Sequence, residues 1–189
     1  RGLGLLQELG SGTPDADWTG EKWWPGCYAG DSQLHVFKVR FIADPFAVEK
    51  HGTAAIQSKL EEVIAHTSLI YEAQLNLEIQ MANLDIHETS SGAPAYSQIG
   101  CNGDFLTDKL NALKDADLPF AAATHLFTGC GNGYGTVGLA WIGTICNTGG
   151  YNTGVSQLQG ETWLTFAHEL GHNFGGDHSF EKGQGSTGG

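Results

Sequence analysis

One stretch constrains this chain more than any other: residues 165–179, T-F-A-H-E-L-G-H-N-F-G-G-D-H-S. Within it His168, Glu169, His172, Gly175 and His178 spell H-E-x-x-H-x-x-G-x-x-H. Histidines four apart share one face of a helix, so His168 and His172 can grip one ion. Three neutral imidazoles with an open fourth position make a catalytic zinc site. Glu169 stands beside the first ligand, where a carboxylate can take the proton of an attacking water. Gly175 allows a turn that a residue with a Cβ resists. That turn is expected to end the helix and swing His178 back toward the metal. A lone His-x-x-x-His pair is often only a solvated helix face. Here the Glu, the Gly and the third His agree on one chemistry.

The helix carrying this motif is expected from about Glu161 to Phe174, with Trp163, Phe166, Ala167, Leu170 and Phe174 as its core stripe. Gly171 lowers helix propensity by roughly 1 kcal/mol against Ala, which predicts a tightly packed neighbour there. Upstream, residues 33–42 alternate at Phe37, Val39 and Phe41 and read as a strand. A long helix opens at Asp44 or Pro45 and runs to about Tyr71, with Ile56, Leu60, Val63 and Ile64 on its apolar stripe. His51 and His66 read as surface or cap histidines. Residues 75–86 form a second strand whose phase shifts near Asn83, the mark of a bulge. Residues 90–100 read as a loop. Asn102 or Asp104 caps a shorter helix bearing Phe105, Leu106, Leu110 and Leu113. Three strands follow, at 121–128, 137–145 and 154–158, with His125 as a core histidine. The order strand, helix, strand, helix, three strands, helix predicts an α/β (α+β) fold with a mixed, twisted five-stranded sheet.

The chain has 189 residues and suits one domain. Residues 1–26 hold Trp18, Trp23 and Trp24 among glycines and read as an irregular arm docked on a domain of residues 27–189. Nine basic and twenty-one acidic side chains leave a formal charge of -12, which argues against nucleic acid and against an anionic membrane surface. Residues 118–160 carry no charged side chain, yet Thr, Asn and Gly interrupt every apolar run, so no membrane span is expected. Cys27, Cys101, Cys130 and Cys146 contain no C-x-x-C pair and suit two disulfides in an oxidising compartment. Four cysteines allow three pairings. Cys130 and Cys146 bracket one Gly-rich loop, which favours Cys130–Cys146 with Cys27–Cys101.

The zinc motif resembles the metzincin signature of one clan of zinc endopeptidases. G-L-A-W-I-G at 138–143, H-N-F-G at 172–175 and L-F-T-G at 126–129 are similar to the adamalysin, or ADAM, family. The resemblance covers most of residues 28–180. It implies the zincin-like upper lobe, with two long helices plus the active-site helix. It also implies an extracellular zinc endopeptidase, secreted or in a cell-surface ectodomain, made with a prodomain and acting on protein or peptide substrates. By that likeness His168, His172 and His178 hold one Zn2+ and Glu169 is the general base. Gly138, Leu139, Ala140 and Trp141 would pair with substrate backbone by strand addition. Two features depart from the pattern. Ser179 follows the third histidine where adamalysins usually carry Asp, which is more like the matrixins. The only methionine is Met81, upstream of the motif, so the expected methionine turn and lower lobe would follow Gly189. Residues 181–189 hold no apolar side chain to floor the site, so a continuation is expected.

The resulting expectation is metal-assisted peptide hydrolysis with Glu169 moving the proton. A catalytically silent extracellular binding module is the alternative, and Glu169 argues against it. A fourth protein ligand would instead mark a purely structural zinc site.

Overall fold

The computed structural model describes residues 33–178. The arm at 1–26, Cys27, Ser179 and the tail beyond it lie outside the described residues. Strand β1, His35–Ala43, buries Phe37, Val39 and Phe41 as their alternation predicts. β2, Leu77–Ile86, runs parallel to it. Val39 opposes Met81 but Arg40 opposes Asn83, so Ala82 is the extra residue of the expected bulge. β3, Ala123–Thr128, is buried throughout and lies parallel on the other side of β1. β5, Thr153–Gln157, continues the parallel set, and β4, Gly138–Ala140, closes the sheet antiparallel to β5. The sheet order is β2-β1-β3-β5-β4, which places β4 at an edge.

Parallel neighbours need crossover segments, and the helices supply them. Asp44 caps α1, Pro45–His51, by accepting from the Ala47 N–H at 2.9 Å, with Pro45 in the first turn. The helix expected from there to Tyr71 is two helices. Gly52, at φ 77°, ends α1, and α2 spans Thr53–Leu75. A one-turn helix α3, Ala95–Gln98, occupies the stretch expected to be loop. α4 is Phe105–Lys114 and α5 is Thr162–Asn173. One face of the sheet packs Val39, Phe41 and Phe127 against Ile56 and Leu60 of α2 and Phe166 and Leu170 of α5. The other face packs Ile42, Leu126 and Val155 against Leu106, Leu110 and Leu113 of α4. The strand expected over 137–145 keeps only three residues. Past Ala140 the N–H groups of Gly143, Thr144 and Ile145 donate to carbonyls at the end of α5 instead of to a strand.

The ends of β1 and β3 are tied to α4 by a fully buried ion pair. Lys109 Nζ stands 3.0 Å from Asp44 Oδ2, and neither side chain is exposed. The ammonium also donates to the carbonyls of Ile99 at 2.6 Å and Tyr96 at 3.4 Å. Asp44 further accepts from the Gly129 N–H and the Thr128 hydroxyl. A disulfide joins Cys101 to Cys130 at this end of the sheet, with Cα atoms 5.0 Å apart. This corrects the expected Cys130–Cys146 and Cys27–Cys101 pairing. Cys130 follows the end of β3, whereas the Cys146 N–H bonds Ala122 just before its start. The six residues between put the two about 20 Å apart, beyond the reach of a disulfide. Cys146 is an exposed free thiol.

Removing Asp44 would leave the Lys109 ammonium buried without its counter-ion. Asp44→Ala is expected to cost about 3–5 kcal/mol. Urea denaturation checks this, and a loss below 1 kcal/mol would contradict it.

Candidate metal centre

Helix α5 presents two faces. Phe166 and Leu170 are fully buried in the core, and the Tyr71 hydroxyl of α2 donates to the Ala167 carbonyl at 2.8 Å. His168, Glu169 and His172 look out along the cleft side. Tight packing at Gly171 is not found: a Cβ there would meet only the Tyr71 hydroxyl, at an ordinary 3.6 Å. The helix ends in a Schellman motif. The Gly175 N–H donates to the His172 carbonyl at 2.8 Å and the Gly176 N–H to the Gly171 carbonyl at 2.9 Å. Gly175 sits at φ 100°, where a side chain is strained. The motif has a chemical consequence. It aims the Gly176 carbonyl at His172 Nδ1, 2.7 Å away. A carbonyl accepts only, so the proton is on Nδ1 and the Nε2 lone pair is free for a metal.

The three ring nitrogens converge. His172 Nε2 is 3.0 Å from His168 Nε2 and 3.0 Å from His178 Nε2, and the last two are 3.1 Å apart. Three lone pairs at this spacing repel one another, and at most one N–H fits between them. A shared cation would relieve that repulsion. Tetrahedral zinc with Zn–N bonds of 2.0–2.1 Å implies N···N separations of about 3.3–3.4 Å, so the triangle is a slightly tight fit. No further His, Cys, Asp or Glu joins this cluster among the described residues. Burial, then the neighbouring His172 and His178, lower the His168 pKa, which favours the neutral ring that a metal needs. Burial pushes the Glu169 carboxyl up to about 8. A cation beside it draws such a group back toward the ionised form.

The triad opens into a cleft of about 670 Å³ floored by α5 and roofed by β4. Gly138, Leu139 and Ala140 line it, together with the exposed side chains of Ile142 and Leu164. Among the described residues β4 pairs with β5 on one side only, and no strand lies along its outer edge. Trp141 is past the end of the strand and is not among the lining residues. Its ring packs edge-on to Tyr151 at 5.1 Å, and its carbonyl accepts from Asn173 Nδ2 at 2.9 Å. His51, His66 and His125 stand apart from the triad. His125 is buried between Phe127 and Phe166, meets Ser156 Oγ at 2.8 Å, and is lowered to about 3 by burial. His51 bonds the Leu158 carbonyl, and His66 lies against Trp163.

The reprolysin-type profile of metallo-peptidase family M12 matches residues 34–189. The chain belongs to metallo-peptidase family M12. It is 32% identical over 132 residues to a disintegrin and metalloproteinase domain-containing protein B of Aspergillus fumigatus, covering 61% of this chain and 17% of that protein. It is 30% identical over 136 residues to the zinc metalloproteinase-disintegrin-like atragin of Naja atra, covering 68% of this chain and 21% of that one. The chain therefore spans about a fifth of the length of these relatives. A solved chain titled "Structure of a chaperone-substrate complex" shares the fold, with a TM-score of 0.55 at 16% identity over 79% of this chain and 25% of that one.

In this M12 domain the sequence reading missed two contributions. One is the Gly176 carbonyl that sets the His172 tautomer; the Gly-Gly pair at 175–176 was its only trace. The other is the emptiness at Gly138. A Cβ there would lie 2.6 Å from Glu169 Oε1 and 2.8 Å from the Thr165 methyl. Gly138 thus lets α5 seat Glu169 directly under the edge strand. Gly138→Ala is expected to cost about 1–3 kcal/mol by overpacking and to displace the Glu169 carboxylate. A thermal melt and a crystal structure of the variant check this. An unmoved Glu169 with unchanged stability would contradict it.

Proposed function

We propose that this M12 domain is a zinc-dependent endopeptidase of the adamalysin type. The observation that carries the reading is the convergence of three Nε2 atoms beside a buried carboxylate, in an open cleft beneath a one-sided edge strand. His168, His172 and His178 would hold the zinc. Bound zinc supplies Lewis acidity, acidifying water and polarising the scissile carbonyl. Glu169 takes the proton from the attacking water and returns it to the departing amine. Its seat under Gly138 keeps it within the cleft. Gly138, Leu139 and Ala140 pair with the backbone of an extended protein or peptide substrate, which aligns the bond to be cut. The Cys101–Cys130 bridge supports an oxidising, extracellular setting. Synthesis with a prodomain belongs to the same proposal. Among the described residues no helix is long and apolar enough to cross a membrane.

The loaded protein is expected to carry one zinc per chain by elemental analysis and to cut a quenched peptide until a chelator is added. Glu169→Gln keeps the shape but cannot accept a proton, so it should retain zinc and lose about 10²- to 10⁴-fold in turnover. Wild-type turnover in that variant would remove Glu169 as the base. A zinc-loaded wild type that cuts nothing would favour a silent binding module.

A further inference from the structure

The cleft edge does not begin at β4. Three glycines at positive φ, Gly131, Gly133 and Gly135, lead into it. A chain so rich in glycine has a large entropy to lose on ordering. Gln157, the last residue of β5, holds it. The Gln157 backbone N–H donates to the Val137 carbonyl at 2.8 Å. Its side chain then continues the pairing where the strand backbone stops. Oε1 accepts from the Gly133 N–H at 3.0 Å, and Nε2 donates to the Thr136 carbonyl at 3.1 Å. A primary amide offers the acceptor and donor of a peptide group, and both are matched here in one orientation only. Gln157 is 4% exposed, so the contacts are largely shielded from water. Gly131 closes over it, since a Cβ there would overlap Gln157 Oε1. Gln159 Nε2 adds a bond to the Gly131 carbonyl at 2.5 Å. Thr136 and Val137, which Gln157 holds, line the same cleft as the histidine triad. Tyr134 stands at the loop tip, 82% exposed.

We propose that Gln157 is a positioning residue whose amide stands in for strand backbone and extends the cleft edge from Gly138 back to Thr136. The consequence, which rests on the peptidase reading above, is a longer span over which a substrate peptide is held. β4 alone offers three residues, or about 10 Å of edge. Thr136 and Val137 add about 7 Å. Without the amide, the loop must be ordered at the moment of binding, and that cost weakens binding without touching the chemistry.

The test uses Gln157→Glu, which keeps the size and one acceptor but loses the donor, and Gln157→Leu, which loses both. Each zinc-loaded variant is given a short quenched peptide confined to the residues flanking the scissile bond, and a long one reaching past β4. For the long peptide, KM is expected to rise about tenfold, the effect of losing one or two net hydrogen bonds, with kcat held. For the short peptide both constants should stay at wild-type values. Amide exchange at 133–137 should accelerate by about tenfold or more in both variants. Equal losses on the two peptides, a fall in kcat alone, or unchanged loop exchange would each overturn the proposal. A wild type that cuts neither peptide would sink the peptidase reading, and loop exchange would still decide whether Gln157 holds the edge.

Discussion

The structure depends on how α5 is seated. One face buries Phe166 and Leu170 in the core shared with α2 and the sheet, and the adjacent face carries His168, Glu169 and His172. Burial of the first face fixes the second. Phe166 stacks edge-on to Phe41 at 5.0 Å and meets His125 at 4.9 Å. Rotation of the helix would break these contacts, and close-packed interiors resist small displacements. The face that carries the histidines is therefore held by apolar packing.

The end of the same helix couples fold to chemistry. Its last carbonyls are satisfied from two directions. The Schellman turn supplies the Gly175 and Gly176 N–H groups, and the segment after β4 supplies those of Gly143, Thr144 and Ile145. Asn173 Nδ2 adds bonds to the carbonyls of Trp141 and Thr153. The cleft roof, its floor and the turn that leads to His178 are thus referenced to one turn of helix. This explains why the strand predicted over 137–145 is short: its later N–H groups have better partners on α5. The other end of the sheet is held separately, by the Asp44–Lys109 pair and the Cys101–Cys130 bridge.

Much of this was legible in the residues because it is local. Spacings of three and four residues on a helix, a period of two in β1 and a phase shift near Asn83 all follow from backbone geometry. So did the order of the elements, and with it the mixed five-stranded sheet. The misreadings have a common origin. Gly52 splits the first long helix because its left-handed φ ends α1, a conformation that the apolar stripe running through it does not reveal. The cysteine pairing failed because Cys130 and Cys146 are near in sequence while β3 separates them in space. Trp141 stands past the end of β4, its ring against Tyr151 and its carbonyl bonded to Asn173, which the apolar pattern of 137–145 does not reveal.

By itself the sequence determined the donor set. Three histidines, a glutamate and a glycine stand at those intervals, and helical periodicity with one turn brings the three rings together whatever surrounds them. Tertiary structure alone decided how that site is finished. The proton on His172 Nδ1 is placed by the Gly176 carbonyl, the seat of Glu169 by the missing Cβ of Gly138, and the length of the edge by the Gln157 side chain. The last two join residues twenty or more positions apart, and the first exists only once the helix has ended in its final geometry. Such contacts depend on the packing of whole elements, which no local pattern records.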